Sequence, residues 1–316
     1  MQLERNNRPR VVVTGLGAQS PMGGVDDFWE NLKAGKSGIR RISLFDPQKL
    51  EVQVAGEVNF DPSDHIDRKS ARRMSRASQL ILAAARMALE DCGMSQEEVA
   101  EEGSRVAITM GTAKAGFGTL VDISNQYTLK GRKPFPTSLD NGLPNMPGYY
   151  VSLEMGATGP LTTISTACAS GTQSIGHGLE LILLGKADMV FAGGVDCLVR
   201  EEVMVAFDAM TVLARSNNAS PEKASRPFDT NREGFVLGEG AGIFVLESLE
   251  HALQRDAHIY AEVLGHAASS DAQHIATPDE EGVGAQNAMR WAIEDAHINP
   301  DEIDYINAHG TGTRIN

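Results

Sequence analysis

The stretch that decides the fold reads Leu161-Thr-Thr-Ile-Ser-Thr-Ala-Cys168-Ala-Ser-Gly-Thr-Gln-Ser-Ile-Gly-His-Gly-Leu-Glu-Leu-Ile-Leu-Leu184. Its β-branched first part, up to Thr166, predicts a strand, and apolar residues at helical spacing from Ser174 to Leu184 predict a helix. Unpaired N–H groups and the positive dipole end at a helix start favour a thiolate, and small neighbours admit a thioester. Cys168 is therefore a candidate nucleophile. The alternative is a buried structural cysteine, the usual environment of a free cysteine.

Length and composition indicate a large α/β domain. The chain has 316 residues, of which 41% are hydrophobic and 32 are glycine, as expected for many tight strand-to-helix turns. No stretch approaches the roughly 20 apolar residues of a membrane helix, and no signal-peptide pattern is present, so we expect a cytoplasmic protein without a membrane partner. Cys92 and Cys197 lack metal-ligand or disulfide spacing with Cys168, so no metal site is predicted and both are interpreted as structural.

Charge is unevenly distributed. The net charge of −14 argues against nucleic acid as a partner. Five positive charges nevertheless lie between Arg68 and Arg76, and Lys130-Gly-Arg132-Lys133 adds three more. Positions 69, 72, 73 and 76 fall at helical spacing and are expected to share one helix face. Such a patch suits an acidic partner, although a solvated helix face would look the same.

Several further elements follow from periodicity and turn residues. Glycines near residues 233–242 do not follow a strand in the order that a dinucleotide site requires, so no such site is inferred. The predicted strands are 10–14, 105–110, 187–194, 259–264 and 305–307, and a loop over 15–24 is expected after the first of them. The predicted helices are 25–34, 77–91 and 250–255.

An internal repeat suggests two similar halves. Residues 88–99 and 292–303 share one pattern, and each ends a helix that leads into an apolar strand. The first half is expected to span residues 1–255 and the second to begin in 256–316. Because a half-built parallel sheet would leave unpaired edges, we expect the 316 residues to be part of a longer chain, or to be covered by something else, and to be poorly soluble alone.

A second chemical group lies in Ala308-His309-Gly310-Thr311-Gly312-Thr313, directly after a predicted strand. A histidine in a flexible, hydroxyl-rich loop at the carboxyl end of a strand can reach a crevice of an open α/β sheet. His309 is therefore a candidate for catalysis. His266, Asp271 and His274 have a spacing too unspecific for a metal site, and a structural or pocket role is favoured.

Six motifs together resemble the β-ketoacyl-acyl carrier protein synthases, and most closely the elongating type II condensing enzymes. The resemblance runs from Val11 to the last residues. It implies the thiolase-like fold, with duplicated α/β halves in five layers and the second half incomplete here, and a homodimer. The motifs are Thr166-Ala-Cys168-Ala-Ser-Gly, Ala192-Gly-Gly194, Ala224-Ser-Arg-Pro-Phe-Asp229, Glu233-Gly-Phe-Val-Leu-Gly-Glu-Gly-Ala-Gly242, Ser270-Asp271-Ala272 and Asn307-Ala-His-Gly-Thr-Gly-Thr313.

The resemblance also implies an activity, namely decarboxylative condensation of a malonyl carrier with an acyl-cysteine in fatty acid or polyketide-type biosynthesis. Cys168 would carry the acyl group and His309 would stabilise the enolate. No cofactor is expected, since the phosphopantetheine belongs to the acyl carrier protein. The pantetheine and substrate channel is expected at Thr311, Thr313, Phe207 and Lys114, and the carrier is expected to dock on Lys69, Arg72, Arg73, Arg132 and Lys133.

The sequence departs from the family in three ways. The family's second histidine, a lysine and a gating phenylalanine correspond to positions after Asn316. Lys114 stands where the bottom of the acyl tunnel is usually apolar, and residues 137–141 replace a stretch that is often aromatic. These differences favour a specialised acyl substrate. Two alternatives remain, a non-catalytic partner subunit of the chain-length-factor kind and, more distantly, a thiolase-type acyltransferase.

Overall fold

The computed structural model describes residues 2–274 and 277–315. Its centre is a six-stranded mixed sheet in the order β10-β3-β9-β8-β6-β7. The strands are β1 (Glu4–Arg5), β2 (Arg8–Pro9), β3 (Val11–Gln19), β4 (Arg40–Arg41), β5 (Val54–Ala55), β6 (Val106–Gly111), β7 (Leu161–Ile164), β8 (Met189–Cys197), β9 (Glu239–Ser248) and β10 (Ala261–Val263). The helices are α1 (Val25–Lys33), α2 (Arg68–Ala71), α3 (Arg76–Asp91), α4 (Gln96–Glu102), α5 (Phe117–Lys130), α6 (Met146–Met155), α7 (Ser170–Leu183), α8 (Glu201–Ala209), α9 (Leu249–Gln254) and α10 (Val283–Ala296).

Helices cover both faces of this sheet. Phe191 in β8 points into the core beneath α3, whereas its neighbour Val190 packs with Leu179 of α7 on the opposite face. Successive strand residues face opposite sides, so a strand buried on both sides needs mainly apolar residues, as in β6 and β8, where Thr109 and Asp196 are the polar exceptions. Strands β6, β7 and β8 are parallel, so their carboxyl ends lie along one edge of the sheet.

Pairing lengthens two of the predicted strands. β3 continues through the predicted loop to Gln19 because β9 bonds to it over that whole length, with a bulge after Val13. β8 likewise continues through Gly193 and Gly194 to Cys197. The strand predicted over 187–194 is therefore longer than expected at its carboxyl end. Local sequence cannot reveal such extensions, because the stabilising hydrogen bonds come from a distant segment.

The two repeated segments are alike in structure as well. Helix α3 is followed by a capping box in which Ser95 and Glu98 satisfy each other's backbone N–H groups, and helix α10 is followed by the same arrangement of Asn299 and Glu302. The likeness does not extend to a second sheet. β10, the strand before α10, pairs antiparallel with β3 at the edge of the central six-stranded sheet.

The strand predicted at residues 305–307 is wrong. The segment has no regular structure, and the side chains of Tyr305 and Ile306 are 79% and 65% exposed. A strand needs a neighbour for its backbone hydrogen bonds, and within the described ranges no strand lies beside this segment. Its apolar sequence thus has no partner to pair with.

A buried cluster of charges joins β9 to the helix that follows it. Glu247 is fully buried and accepts hydrogen bonds from Arg255, at 2.5 and 2.9 Å, and from Thr14. The ring of His251 lies between two carboxylates, with Nδ1 2.5 Å from Glu247 and Nε2 2.9 Å from Glu102. Both ring nitrogens can donate to carboxylates only in the imidazolium form. The hydrogen bond to Glu247, followed by the one to Glu102, raises the pKa of His251 to about 9 against the opposing effect of burial.

No helix in the described part of the chain is long and apolar enough to cross a membrane. The longest is α3, which has 16 residues.

Candidate active site

Cys168 lies on a short 3-10 turn, Ala167–Ala169, between β7 and α7. The strand-to-helix junction predicted from sequence is thus confirmed, although the helix begins four residues earlier than expected. The preceding Ala167 has a φ of 52°, in the left-handed region that alanine rarely occupies. Such strain persists only where the surroundings impose it, and it clusters at functional sites. Here the turn leaves the side chain of Cys168 exposed.

Buried contacts impose that turn. The hydroxyl of Ser170 accepts a hydrogen bond from the N–H of Thr166 at 2.8 Å and donates to the carbonyl of Ala167 at 2.7 Å. A Cβ at Gly111, the last residue of β6, would lie 2.2 Å from the carbonyl oxygen of Ser170. Only glycine lets the start of α7 approach the sheet this closely. The position of Cys168 is therefore set by the sheet itself.

The three cysteines differ in how far their side chains are exposed. Burial raises the pKa of Cys92 to about 11 and raises that of Cys197 well above its usual value. A thiol that stays protonated is a poor nucleophile, so both behave as packing groups, as predicted. Cys168 is the exposed member of the three.

A cleft of about 2800 Å³ opens at the carboxyl ends of the parallel strands. It brings together all of the residues assigned from sequence to the reaction and the channel. The residues of that set in its lining are Lys114, Cys168, Phe207, His309, Thr311 and Thr313. They come from the end of β6, the turn after β7, helix α8 and the segment after α10, so only the tertiary structure places them together.

The histidine side of the cleft is a loop without regular structure. It turns at Gly310 and Gly312, whose φ angles of 56° and 77° favour glycine. Arg232 holds the loop in place, donating to the carbonyl oxygens of Thr313 at 2.9 Å and of Arg314 at 2.8 Å. The hydroxyls of Thr311 and Thr313 lie 2.8 Å apart. The loop that carries His309 is thus held at the cleft by a few side-chain contacts with a neighbouring loop.

The neighbouring loop is organised by Glu233. Its carboxylate accepts hydrogen bonds from the hydroxyl of Ser216, from the guanidinium of Arg226 and from the N–H groups of Arg215 and Ser216. The Ser216 hydroxyl, followed by Arg226, lowers the pKa of Glu233 to about 2 despite some desolvation. Neither Arg232 nor Glu233 is among the site residues predicted from the sequence, although Glu233 opens one of the six family motifs. The available signal was an arginine and a glutamate beside a glycine in a loop.

The basic segments form a surface outside the cleft. The prediction that positions 69, 72, 73 and 76 share one helix face is wrong, since α2 ends at Ala71 and α3 begins only at Arg76, after the N-cap Ser75. Arg76 turns inward to Glu239, with nitrogen–oxygen distances of 2.5 and 2.9 Å. The guanidinium of Arg73 lies 5.4 Å from the centre of the Phe135 ring, which joins the two basic segments. The exposed cations of this basic surface are Lys69, Arg72, Arg73, Arg132 and Lys133.

The residues weighed as metal ligands have other contacts. Asp271 and His274 line the cleft and accept hydrogen bonds from the N–H groups of Asp279 and Thr277, each at 3.0 Å. His266 lies 3.7 Å from Glu180. Within residues 2–274 and 277–315, no three histidine, cysteine or acidic side chains are placed to hold a metal ion.

Comparison with known sequences gives one consistent family. Residues 8–252 match the family model described as the N-terminal domain of beta-ketoacyl synthase, and residues 260–316 match that of its C-terminal domain. The 3-oxoacyl-acyl-carrier-protein synthase 2 of Staphylococcus aureus (strain COL) is 41% identical over 309 residues, which cover 97% of this chain and 74% of the relative.

Comparison with solved structures agrees and confirms the thiolase-like fold. The ishigamide ketosynthase/chain length factor is 36% identical with a TM-score of 0.87, over 98% of this chain and 75% of the other. A type II PKS acyl-carrier protein in complex with its ketosynthase bound to the hexaketide gives 31% identity and a TM-score of 0.87 over the same shares.

Proposed function

Because the chain belongs to the β-ketoacyl synthase family, we propose that it acts as a condensing enzyme with Cys168 as nucleophile and His309 as the group that stabilises the enolate. The observation that carries this proposal is the placement of Cys168 and His309 in one cleft. Family members are acyltransferases that catalyse decarboxylative condensation. They need no resident cofactor, because the reacting thioester arrives on the phosphopantetheine of an acyl carrier protein.

In the first half-reaction, the Cys168 thiolate attacks the carbonyl carbon of the acyl thioester. The carbon–sulfur bond to pantetheine breaks, a new bond to the Cys168 sulfur forms, and the pantetheine thiol leaves with a proton. The thiol of Cys168 is exposed immediately before α7, where the positive end of the helix dipole stabilises negative charge.

In the second half-reaction, a malonyl thioester loses carbon dioxide and the electron pair of the broken bond forms an enolate. The enolate carbon attacks the acyl-cysteine carbonyl, and the Cys168 thiolate leaves. Negative charge develops on the enolate oxygen, so a hydrogen-bond donor aimed at that atom lowers the barrier most. His309 is that donor in the proposal, and its loop reaches the cleft that Cys168 lines.

The remaining lining residues form the channel. Thr311 and Thr313 offer hydroxyls at the wall beside His309, suited to the amide groups of the pantetheine arm. Phe207 packs edge-on against Phe235 at 5.3 Å and supplies an apolar wall for the acyl chain. Lys114 adds a positive charge at the end of β6.

Acyl carrier protein is the proposed macromolecular partner. One similar structure is described as a ketosynthase in complex with its acyl-carrier protein. On this chain, whose net charge is −14, the basic surface is a local exception. A positive patch on an acidic protein steers an acidic partner to one place. We therefore assign carrier docking to the basic surface, which Arg73 and Phe135 hold together.

The proposal also covers the oligomeric state, the cellular location and the domain boundaries of the protein. A homodimer is supported by β7, which bonds only to β6 among the described strands and so presents an open edge. The cytoplasm suits a protein whose three cysteines are all free. Units of 1–255 and 256–316 are supported by the repeated helix and capping box and by the two family matches, which meet between residues 252 and 260.

Mass spectrometry of the acylated protein tests the nucleophile. Incubation with octanoyl acyl carrier protein is expected to add one octanoyl group, and peptide mapping is expected to place it on Cys168. Cys168→Ala should abolish the adduct, whereas Cys197→Ala should retain it, because the raised pKa of Cys197 keeps that thiol protonated. An adduct confined to Cys92 or Cys197 contradicts the proposal.

A second candidate is a non-catalytic partner of a ketosynthase. One observation favours it, namely the similarity to the ishigamide ketosynthase/chain length factor. The exposed Cys168 counts against it, since the resemblance implies that such partners usually lack the nucleophile. A stable heterodimer in which Cys168→Ala leaves product formation intact would establish this role instead.

A further inference from the structure

An uncompensated positive charge lies in the substrate cleft. The side chain of Lys114 is exposed to the cleft, and its ammonium lies 5.9 Å from the centre of the Phe117 ring. Among residues 2–274 and 277–315, no carboxylate oxygen lies within 4.0 Å of this ammonium. The ammonium is therefore available to a ligand.

An acidic residue of the cleft, Asp196, is hydrogen-bonded to the loop that carries Lys114. The carboxylate of Asp196, at the end of β8, accepts hydrogen bonds from the N–H groups of Ala113 at 2.8 Å and Lys114 at 2.9 Å, and from the hydroxyl of Thr112 at 3.0 Å. These three bonds fix the loop after β6. They hold the start of the Lys114 side chain in place while leaving its ammonium free to reach into the cleft.

Apolar side chains line part of the cleft wall, among them Leu198 and Phe207. Phe117 and Phe207 pack with the buried side chains of Leu198 and Met204 in one hydrophobic cluster. Arg232 also lines the cleft, but backbone carbonyl oxygens already occupy its guanidinium. A saturated acyl chain would pack best against a wall that carries no charged side chain. A cation there gives a hydrogen bond only to a chain with an oxygen that can accept it.

We propose that Lys114 selects acyl chains that carry an oxygen acceptor, a keto oxygen or a carboxylate, over saturated chains of the same length. This inference rests on the proposed function, because it takes Cys168 as the site of acylation. The ammonium donates to the acceptor oxygen, and the Phe117 ring, whose centre lies 5.9 Å from the ammonium, helps to position it.

The test measures the rate of Cys168 acylation by eight-carbon pantetheine thioesters with intact-protein mass spectrometry. The probes are octanoyl, oxooctanoyl with the keto group at C3, C5 or C7, and 7-carboxyheptanoyl thioesters. At least one oxygenated probe is expected to react faster than octanoyl. The preference is the rate with that probe divided by the rate with octanoyl. Lys114→Met and Lys114→Gln are expected to lower this ratio about tenfold, since a charge-assisted hydrogen bond is lost. Lys114→Arg should retain most of the preference.

Lys186→Met is the matched control, since Lys186 is exposed in the turn after α7 and does not line the cleft. It should leave the ratio unchanged. If the keto probes react faster than octanoyl and lose this advantage in Lys114→Met, the preferred acyl chain carries a keto group. If the carboxylate probe does so, the preferred chain is a dicarboxylic one. Either result supports the inference. Equal rates for all probes, unaltered by Lys114→Met, overturn the inference alone. Failure of every thioester to acylate Cys168 overturns the proposed function and this inference with it.

Discussion

The two walls of the cleft are built in different ways. Cys168 follows a strand of the central sheet, and the helix after it packs so closely on β6 that Gly111 cannot carry a side chain. His309 lies in a loop without regular structure, which Arg232 ties to a neighbouring loop through two hydrogen bonds. One wall is part of the hydrophobic core, and the other is attached to its surface.

This difference predicts different responses to mutation. The nucleophile wall shares the cooperative stability of the sheet, so damage there should lower the free energy of unfolding of the whole protein. The histidine wall depends on a few partly exposed contacts, so damage there should change local motion far more than global stability. Three experiments examine this contrast, in order of decreasing effect on stability.

Gly111→Ala is expected to have the largest effect. Its Cβ would lie 2.2 Å from the carbonyl oxygen of Ser170, so the start of α7 must move, at a cost of about 3 kcal/mol in the free energy of unfolding. Gly171→Ala is the control, because no atom lies within 4 Å of the added Cβ. Urea denaturation measures both. Equal midpoints for the two variants would show that the sheet does not hold the nucleophile turn.

The charged cluster beneath the sheet should make stability depend on pH. Because the folded pKa of His251, about 9, exceeds its ordinary value of 6.5, its contribution is complete below pH 6.5 and is lost as pH rises through 9. We expect the free energy of unfolding to fall by about 2 kcal/mol over this pH range. This is less than the full equivalent of the pKa shift, because solvent partly screens His251 from its carboxylate partners. Urea denaturation at pH 6 and pH 9.5 measures it.

His251→Gln is the matched variant for this experiment. It should be less stable than the parent protein at pH 6 and should lose most of the pH dependence above pH 6.5, since it removes the titrating ring between Glu247 and Glu102. A parent protein and variant with parallel pH profiles would assign the dependence to other groups.

Arg232→Met is expected to have the smallest effect on stability, below about 1 kcal/mol, because it removes hydrogen bonds at the surface only. Amide hydrogen exchange in residues 309–314 should nevertheless become faster, while exchange in α7 stays the same. Arg215→Met is the control, since Arg215 binds Asp208 and not the histidine loop. Unaltered exchange at 309–314 would mean that Arg232 does not hold the loop.

The fold and part of the site were predictable from local patterns. The strand, turn and helix around Cys168 follow from residue types within a few positions, and the helix and capping box near Glu98 recur near Glu302 for the same local reason. Predictions that depended on distant partners were less successful. The segment at Tyr305 has the composition of a strand but no strand beside it among the described residues, and Arg76 has the spacing of a surface residue but pairs with Glu239.

The sequence by itself determined which chemistry is available, because a cysteine at a strand-to-helix junction and a histidine in a glycine- and threonine-rich loop are local features. Only the tertiary structure decided which groups work together. Cys168 and His309 are far apart in the chain, yet they line one cleft. Burial by distant segments raises the pKa values of Cys92 and Cys197, and the same packing leaves Cys168 exposed and Lys114 without a carboxylate partner among the described residues. Burial and long-range pairing are properties of the folded chain, and no local pattern specifies them.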